Sequence, residues 1–300
     1  MVPEVSMLME LENVACRNAQ PMSRFTSMQV GGPANILVEP EDMEGLSSLI
    51  KILDEEKASY IVLGGGTNTI FTDDGYAGVV IHLGEDFRYI RRKGEHDLEV
   101  GAATPLSILV GRSIELGLMG LEFCHGIPGT IGGAAAGNAG RDGLGIHDAV
   151  TKVHGLTRSG KYVTISRGDY SYKYRFVEGL DIIITSIEVS LEPVDPVLQK
   201  KLLDKYEDVR IKQPSAQGTC GSIFKNPPND SAGRLIEAAG LKGRKIGGAS
   251  VSTQHANWII NNGNASASNV LSLITEMRDE VHKKFHILLE PEVKIIGEGF

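Results

Sequence analysis

Between residues 41 and 56 apolar side chains recur at Met43, Leu46, Leu49, Ile50 and Leu53, the spacing that lines one face of a helix. Acidic residues in the first turn suit the positive end of its dipole. Residues 60–83, YIVLGGGTNTIFTDDGYAGVVIHL, break that period. Their pattern predicts a short apolar strand, a glycine turn, a second apolar piece, an Asp-Asp-Gly turn and a β-branched strand, a compact α/β unit.

From about residue 88 to 191 the period is that of strands, as in LEVGA, HGLTRSGKYVTI with its Ser-Gly turn, and DIIITSIEVSL. One helix is predicted within it, over residues 104–116, with Pro105 in the first turn where its missing N–H costs nothing. Residues 193–212 read as a charged helical connector to a further domain. In the last part Asp230 or Ser231 can cap a helix that ends at Ala239 with Gly240 beyond it. ANWII reads as a strand before an Asn-Asn-Gly turn. A second helix is expected from near Ser268 with Leu271, Ile274, Val281 and Phe285 on one stripe, and PEVKII reads as the closing strand. No fixed-period repeat is visible.

Composition narrows the function. At 300 residues with a formal net charge of −8, the chain can bury a sizeable core and lacks the cationic balance of a phosphate-backbone binder, so no nucleic-acid partner is expected. Three widely spaced cysteines without a C-x-x-C pair fit a reducing compartment. No apolar run approaches the roughly 20 residues of a membrane span, and the first 20 residues do not read as a signal peptide. The expected location is the cytoplasm.

Glycine, at 36 residues, is the loud feature, and it is clustered. In Leu63-Gly64-Gly65-Gly66-Thr67-Asn68 three glycines follow an apolar strand and let successive amides form an anion-holding concavity. In GIPGTIGGAAAGNAG, residues 126–140, side-chain bulk nearly vanishes, so a large flat group could approach the backbone. Neither loop is a Rossmann fingerprint, since Thr69 stands where the third glycine belongs. The pair suggests a dinucleotide held by backbone amides in another manner.

DYSYKYRFVEG, residues 169–179, alternates tyrosines with Ser171, Lys173 and Arg175. The alternation predicts a strand with Tyr170, Tyr172 and Tyr174 on one face, and Arg175 as either a solvated cation or a fixed charge beside an anion. TCGSIFKNPP, residues 219–228, carries Ser222 and Lys225 at the S-x-x-K spacing of acyl-enzyme hydrolases. Pro227 and Pro228 argue against the helix that motif requires, and K-T-G is absent, so an irregular loop is expected. His282 and His286 stand one helical turn apart without the glutamate of a metalloprotease. A surface pair is expected and no metal site.

Taken in order, TSMQVGGPA, LGGGTN, GIPGTIGG with GNAG, YKYR, GSIFKNP, IGGASVSTQHANWIIN and LEPEV resemble the UDP-N-acetylenolpyruvoylglucosamine reductase family over nearly the whole chain. The resemblance implies an α+β fold: a vanillyl-alcohol-oxidase-like FAD-binding half of two subdomains, residues 1–85 and 86–195, and a connector helix with an α/β substrate domain, residues 196–300. The short stretch between Arg175 and Ser222 looks like the compact second type of the family.

The implied activity is NADPH-dependent reduction of an enolpyruvyl nucleotide sugar to UDP-N-acetylmuramate, for peptidoglycan precursors, with non-covalently bound FAD and no obligate protein partner. By motif position Arg175, Ser222 and Glu292 carry over as catalytic. Gly64, Gly65, Gly66, Thr67, Asn68, Gly126, Ile127, Pro128, Gly129, Thr130, Gly132 and Gly133 carry over to the cofactor, and Tyr174, Lys212, Asn226, Gln254 and His255 to the nucleotide sugar. Three departures stand out: Thr67 where serine is usual, GNAGRDG for MNAGAYG, and Cys220 where alanine is common, read as a small buried thiol. Two other readings stay open, another FAD oxidoreductase or oxidase on the same scaffold and a non-catalytic nucleotide-sugar binding module.

Overall fold

The computed structural model describes residues 5–215 and 217–297. These divide into two units. The first comprises the described residues up to Asn18, Ile36–Gly65 and Gly78–Arg210; the second comprises Ala19–Asn35, Gly66–Ala77 and the chain from Ile211 on. The helices of the described residues are α1 (Val5–Met9), α2 (Met43–Glu55), α3 (Leu106–Glu115), α4 (Ile131–Ala136), α5 (Pro196–Ile211), α6 (Ala232–Ala238) and α7 (Ala267–Phe285). None is long and apolar enough to cross a membrane.

In the first unit, α2 begins where the Asp42 carboxylate accepts the Gly45 N–H at 2.8 Å, satisfying an otherwise orphaned donor. The apolar stripe then does what its spacing predicts: Leu46, Leu49, Ile50 and Leu53 are buried, each contributing about 1.5–3 kcal/mol relative to exposure. A four-stranded sheet, most of whose residues fall in this unit, has the order Val14–Pro21, Pro33–Pro40, Tyr76–Ile81, Tyr60–Val62. A five-stranded sheet has the order Tyr162–Ser166, Val150–Leu156, Ile183–Ser190, Asp97–Gly101, Ile90–Arg92. Its strands are antiparallel, with Val153 opposite Ile187 and Ile187 opposite Val100. All three side chains are buried in one core with the α2 stripe.

Helix α3 starts one residue after Pro105, close to the expected 104–116. The expected connector forms as α5, but it packs into the first unit: Tyr206 is buried in that core and the Gln199 amide donates to Leu118 O at 3.1 Å. Its sparse apolar residues serve a local core.

The second unit has its own core, from Met28, Val30 and Ile70 through Ile223, Phe224, Leu235 and Ile236 to the α7 stripe Val270, Leu271, Leu273, Ile274, Met277 and Val281. Ser231 caps α6 and Ser266 caps α7 through their side chains. The Asp73 carboxylate adds bonds from Ala267 N and Ser268 N, both 2.8 Å. Lys294–Ile296 closes the chain as expected, as a parallel partner of Thr69–Phe71. A three-stranded sheet joins Lys245–Ile246, Ala249–Val251 and Ile259–Asn261.

Candidate functional site

Within the first unit the two glycine loops meet. A β-carbon on Gly64 would lie 2.5 Å from Thr130 Oγ1, and one on Gly65 would lie 3.0 Å from Gly129 Cα. Any side chain there would close the gap between the loops, so glycine is required for backbone to face backbone. Gly126 and Gly129 have φ of +73° and +116°, a region costly for other residues. The second loop is pinned from behind: Leu106 N donates to Gly129 O, Ile131 N to Thr104 O and Gly132 N to Ala102 O, each at 2.9 Å. The result is a fixed, nearly side-chain-free cradle in which Gly65, Gly126, Pro128 and Gly133 are exposed and Ile127, Gly129, Thr130 and Gly132 half-buried. It fits a flat dinucleotide held by backbone amides.

The rest of the first loop belongs to the second unit. Gly66 is forced by its φ of +60° and by Phe25 O, 1.9 Å from where its β-carbon would be. Thr67 is half-buried. Asn68 is tied to the C-terminal motif, its amide donating to Glu292 O at 3.2 Å and its carbonyl accepting from Lys294 N at 3.0 Å.

Arg175 corrects one expectation. Residues 169–175 are not one strand: Ser171–Lys173 pairs antiparallel with Phe176–Glu178, Lys173 opposite Phe176, which leaves Tyr174 and Arg175 as a two-residue hairpin turn. Arg175 has φ +54° while Tyr174 does not have a positive φ, so the positive value falls on the second central residue, as in a type II turn. Tyr170 and Tyr172 do share a face, their rings 5.1 and 5.3 Å from that of His147. Tyr174 leaves that face and stands half-exposed, with the Arg175 guanidinium 5.1 Å from its ring centre. That guanidinium donates to two backbone carbonyls, Asn138 O at 3.3 Å and Gly140 O at 2.8 Å.

In the second unit, residues 219–228 are irregular, as the prolines require. Asn257 fixes the loop: its carbonyl accepts from Ile223 N at 2.9 Å, and its side chain accepts from Phe224 N at 3.0 Å and donates to Phe224 O at 2.8 Å. On the other side Glu292 N donates to Ile223 O at 2.8 Å and Lys225 N to Glu290 O at 2.9 Å. Glu292 is thereby hydrogen-bonded to Ile223, the residue next to Ser222. Lys225 pairs with Glu290. Cys220 is 3% exposed, and burial pushes its thiol up to about 12, so it stays protonated and behaves as the small apolar residue expected.

Of the residues expected to touch the sugar nucleotide, Tyr174 belongs to the first unit, and Lys212, Asn226, Gln254 and His255 are dispersed over the second. A cavity of about 310 Å³ is lined by Gln254 with Lys245, Ser250, Thr253 and Asn262 among others. Lys212, Asn226 and His255 are not in that lining. Lys212 is exposed, and the Asn226 side chain accepts from Ala232 N at 3.1 Å, at the start of α6. His255 Nδ1 accepts from Asn257 N at 3.3 Å, which leaves the proton on Nε2; burial lowers its pKa. Lys245, Asn138 and Asn257 were not singled out from sequence. Asn138 and Asn257 lie inside the quoted motifs GNAG and HANW, where only their hydrogen bonds distinguish them. Asp142, of the unusual GNAGRDG, pairs with Lys205 on α5 at 2.9 Å. His282 and His286 are exposed, and among the described residues no cluster of three or more His, Cys, Asp or Glu could hold a metal.

Two family models match the chain: an FAD binding domain over residues 34–166 and the UDP-N-acetylenolpyruvoylglucosamine reductase C-terminal domain over residues 213–296. A UDP-N-acetylenolpyruvoylglucosamine reductase of Halalkalibacterium halodurans is 39% identical over 98% of both chains. One from Symbiobacterium thermophilum, number 2 of that name, is 38% identical over 94% of this chain and 92% of its own. The crystal structure of UDP-N-acetylenolpyruvylglucosamine reductase from Thermus caldophilus superimposes with a TM-score of 0.83 at 32% identity, covering 95% of this chain and 99% of that one. The α+β class with an FAD-binding part and a C-terminal domain is thus borne out, and the chain belongs to the UDP-N-acetylenolpyruvoylglucosamine reductase family.

Proposed function

We propose that the chain reduces the enolpyruvyl ether of UDP-N-acetylglucosamine enolpyruvate to UDP-N-acetylmuramate at the expense of NADPH, a step toward peptidoglycan precursors. The observation that carries the reading is the clamp that holds Ser222 and Glu292, far apart in sequence, on neighbouring backbone. FAD, which Gly64, Gly65 and residues 126–133 would hold with Gly66, Thr67 and Asn68, supplies when bound a hydride drawn from NADPH.

The chain's own residues control charge and proton. Once the terminal alkene carbon has taken hydride, the electron pair moves to the neighbouring carbon and its carboxylate. Arg175 neutralises that charge, fixed in advance by its two backbone contacts so that no reorganisation is needed. Ser222 then gives its hydroxyl proton to the carbon, completing the addition. Glu292, beside it, acts protonated or as the positioner of a donor, since a second negative charge would oppose the developing one. Gln254 and Lys245, in the 310 Å³ cavity, support nucleotide-sugar binding in the second unit, with Lys212, Asn226, His255 and Tyr174 as further contacts.

Stopped-flow spectroscopy of Ser222→Ala separates the two halves of the reaction. NADPH should reduce the flavin at the normal rate, and reoxidation by the enolpyruvyl substrate should slow by about 10²–10⁴-fold, the usual contribution of a general acid. Normal reoxidation would remove Ser222 as the proton donor.

A further inference from the structure

Arg175 stands at a hairpin tip in a conformation few side chains favour, and something must hold it there. Asn138 is 5% exposed and itself left-handed, φ +43°. Its side-chain amide donates to Lys173 O at 3.0 Å, the last carbonyl before the Tyr174-Arg175 turn. Its side-chain oxygen accepts from His147 N at 3.3 Å. Its own backbone carbonyl accepts from Arg175 Nη1 at 3.3 Å, and Gly140, two residues on, supplies the acceptor for Nη2 at 2.8 Å. One residue therefore grips both the backbone entering the turn and the guanidinium leaving it. The seat leaves no slack: a β-carbon on Gly145 would come 2.2 Å from Asn138 Oδ1.

The base of the hairpin is held through the same loop. His147 is fully buried, with Nε2 2.7 Å from Ala135 O and Nδ1 2.7 Å from Tyr170 OH. A carbonyl only accepts, so Nε2 carries the proton and Nδ1 accepts from the tyrosine. Since His147 N–H is fixed on Asn138, base and tip share one anchor.

We propose that Asn138 is a positioning residue that sets the Arg175 guanidinium for charge neutralisation; this rests on the reading of Arg175 as the cation facing the substrate carboxylate. Asn138→Gly isolates the side chain, because glycine keeps the left-handed backbone and its carbonyl. In the FAD-loaded protein, flavin content and the NADPH half-reaction should be unchanged. Single-turnover reoxidation by the enolpyruvyl substrate should slow about 10- to 100-fold, the scale of a small misplacement of a reacting group. In an Arg175→Ala background, already slow, the same change should have less than about a 2-fold further effect, because nothing is left to position.

Wild-type reoxidation in Asn138→Gly, or an undiminished loss in the Arg175→Ala background, would overturn the assignment. If Arg175→Ala itself reoxidises normally, the reading of Arg175 fails and this inference falls with it, an outcome distinct from the first two. Should glycine cost the fold, Asn138→Asp keeps the volume, the tolerance of left-handed backbone and the acceptor for His147 N–H. It sets an oxygen against Lys173 O, and the same loss confined to the substrate half, and absent with Arg175→Ala, is expected; wild-type reoxidation would again overturn it.

Discussion

At Gly66 the chain has no room for a β-carbon, which would sit 1.9 Å from Phe25 O on a backbone with φ +60°. At Gly111, inside α3, a β-carbon would meet nothing within 4 Å. The same substitution therefore has opposite signs. Gly66→Ala should lose more than about 2 kcal/mol, from left-handed strain plus collision with backbone, while Gly111→Ala should gain about 0.5–1 kcal/mol by lowering the entropy of the unfolded chain. Urea denaturation of the two variants checks both signs, and equal effects would contradict the local geometry. The glycine clusters were legible in sequence because crowding of small residues is itself the signal. What the sequence did not show is which neighbour each glycine faces; Thr130 against Gly64 and Phe25 against Gly66 are contacts across many intervening residues.

At the scale of elements, α2 and α7 followed from their apolar period, and α3 and α6 from Pro105 and the Ser231 cap; the α2 and α7 stripes are buried except at Met43, which is exposed, and Phe285, which is half-buried. The hairpin 171–178 did not. Its turn contains Tyr174 and Arg175 where glycine or asparagine would have announced it, and the tyrosine alternation runs through the turn unbroken. The device that permits this, the Asn138 and His147 anchor, lies upstream in sequence. That anchor gives stability a pH dependence. Burial lowers the pKa of His147 despite the bond to Ala135 O, so the folded chain resists the proton that the unfolded chain takes as pH falls through about 6.5. The stabilisation is complete above that value and is lost progressively below it. Melting curves from neutral pH to about 5.5 should show a smaller decline in Tm for His147→Gln than for the parent. An identical decline would mean that His147 is not the group excluding the proton.

For the whole molecule, the ordered motifs revealed the family and both of its matched parts, because they extend over nearly the full chain. They did not reveal how the chain divides. Ala19–Asn35 and Gly66–Ala77 belong with the C-terminal stretch, through contacts such as Ser27 Oγ to Thr219 O at 2.6 Å, Asn261 Nδ2 to Met28 O at 3.0 Å and the Asp73 cap on α7. Pairings of such sequence separation leave no local period to read. The division also sorts the proposed chemistry: Arg175 is carried by the first unit, Ser222 and Glu292 by the second. The most direct test of the reductase reading is anaerobic titration of the purified protein, which should be yellow. NADPH should bleach the flavin, and UDP-N-acetylglucosamine enolpyruvate should restore its colour mole for mole while gaining two hydrogens. A colourless protein, or a bleached flavin that molecular oxygen restores and the enolpyruvyl substrate does not, would contradict it.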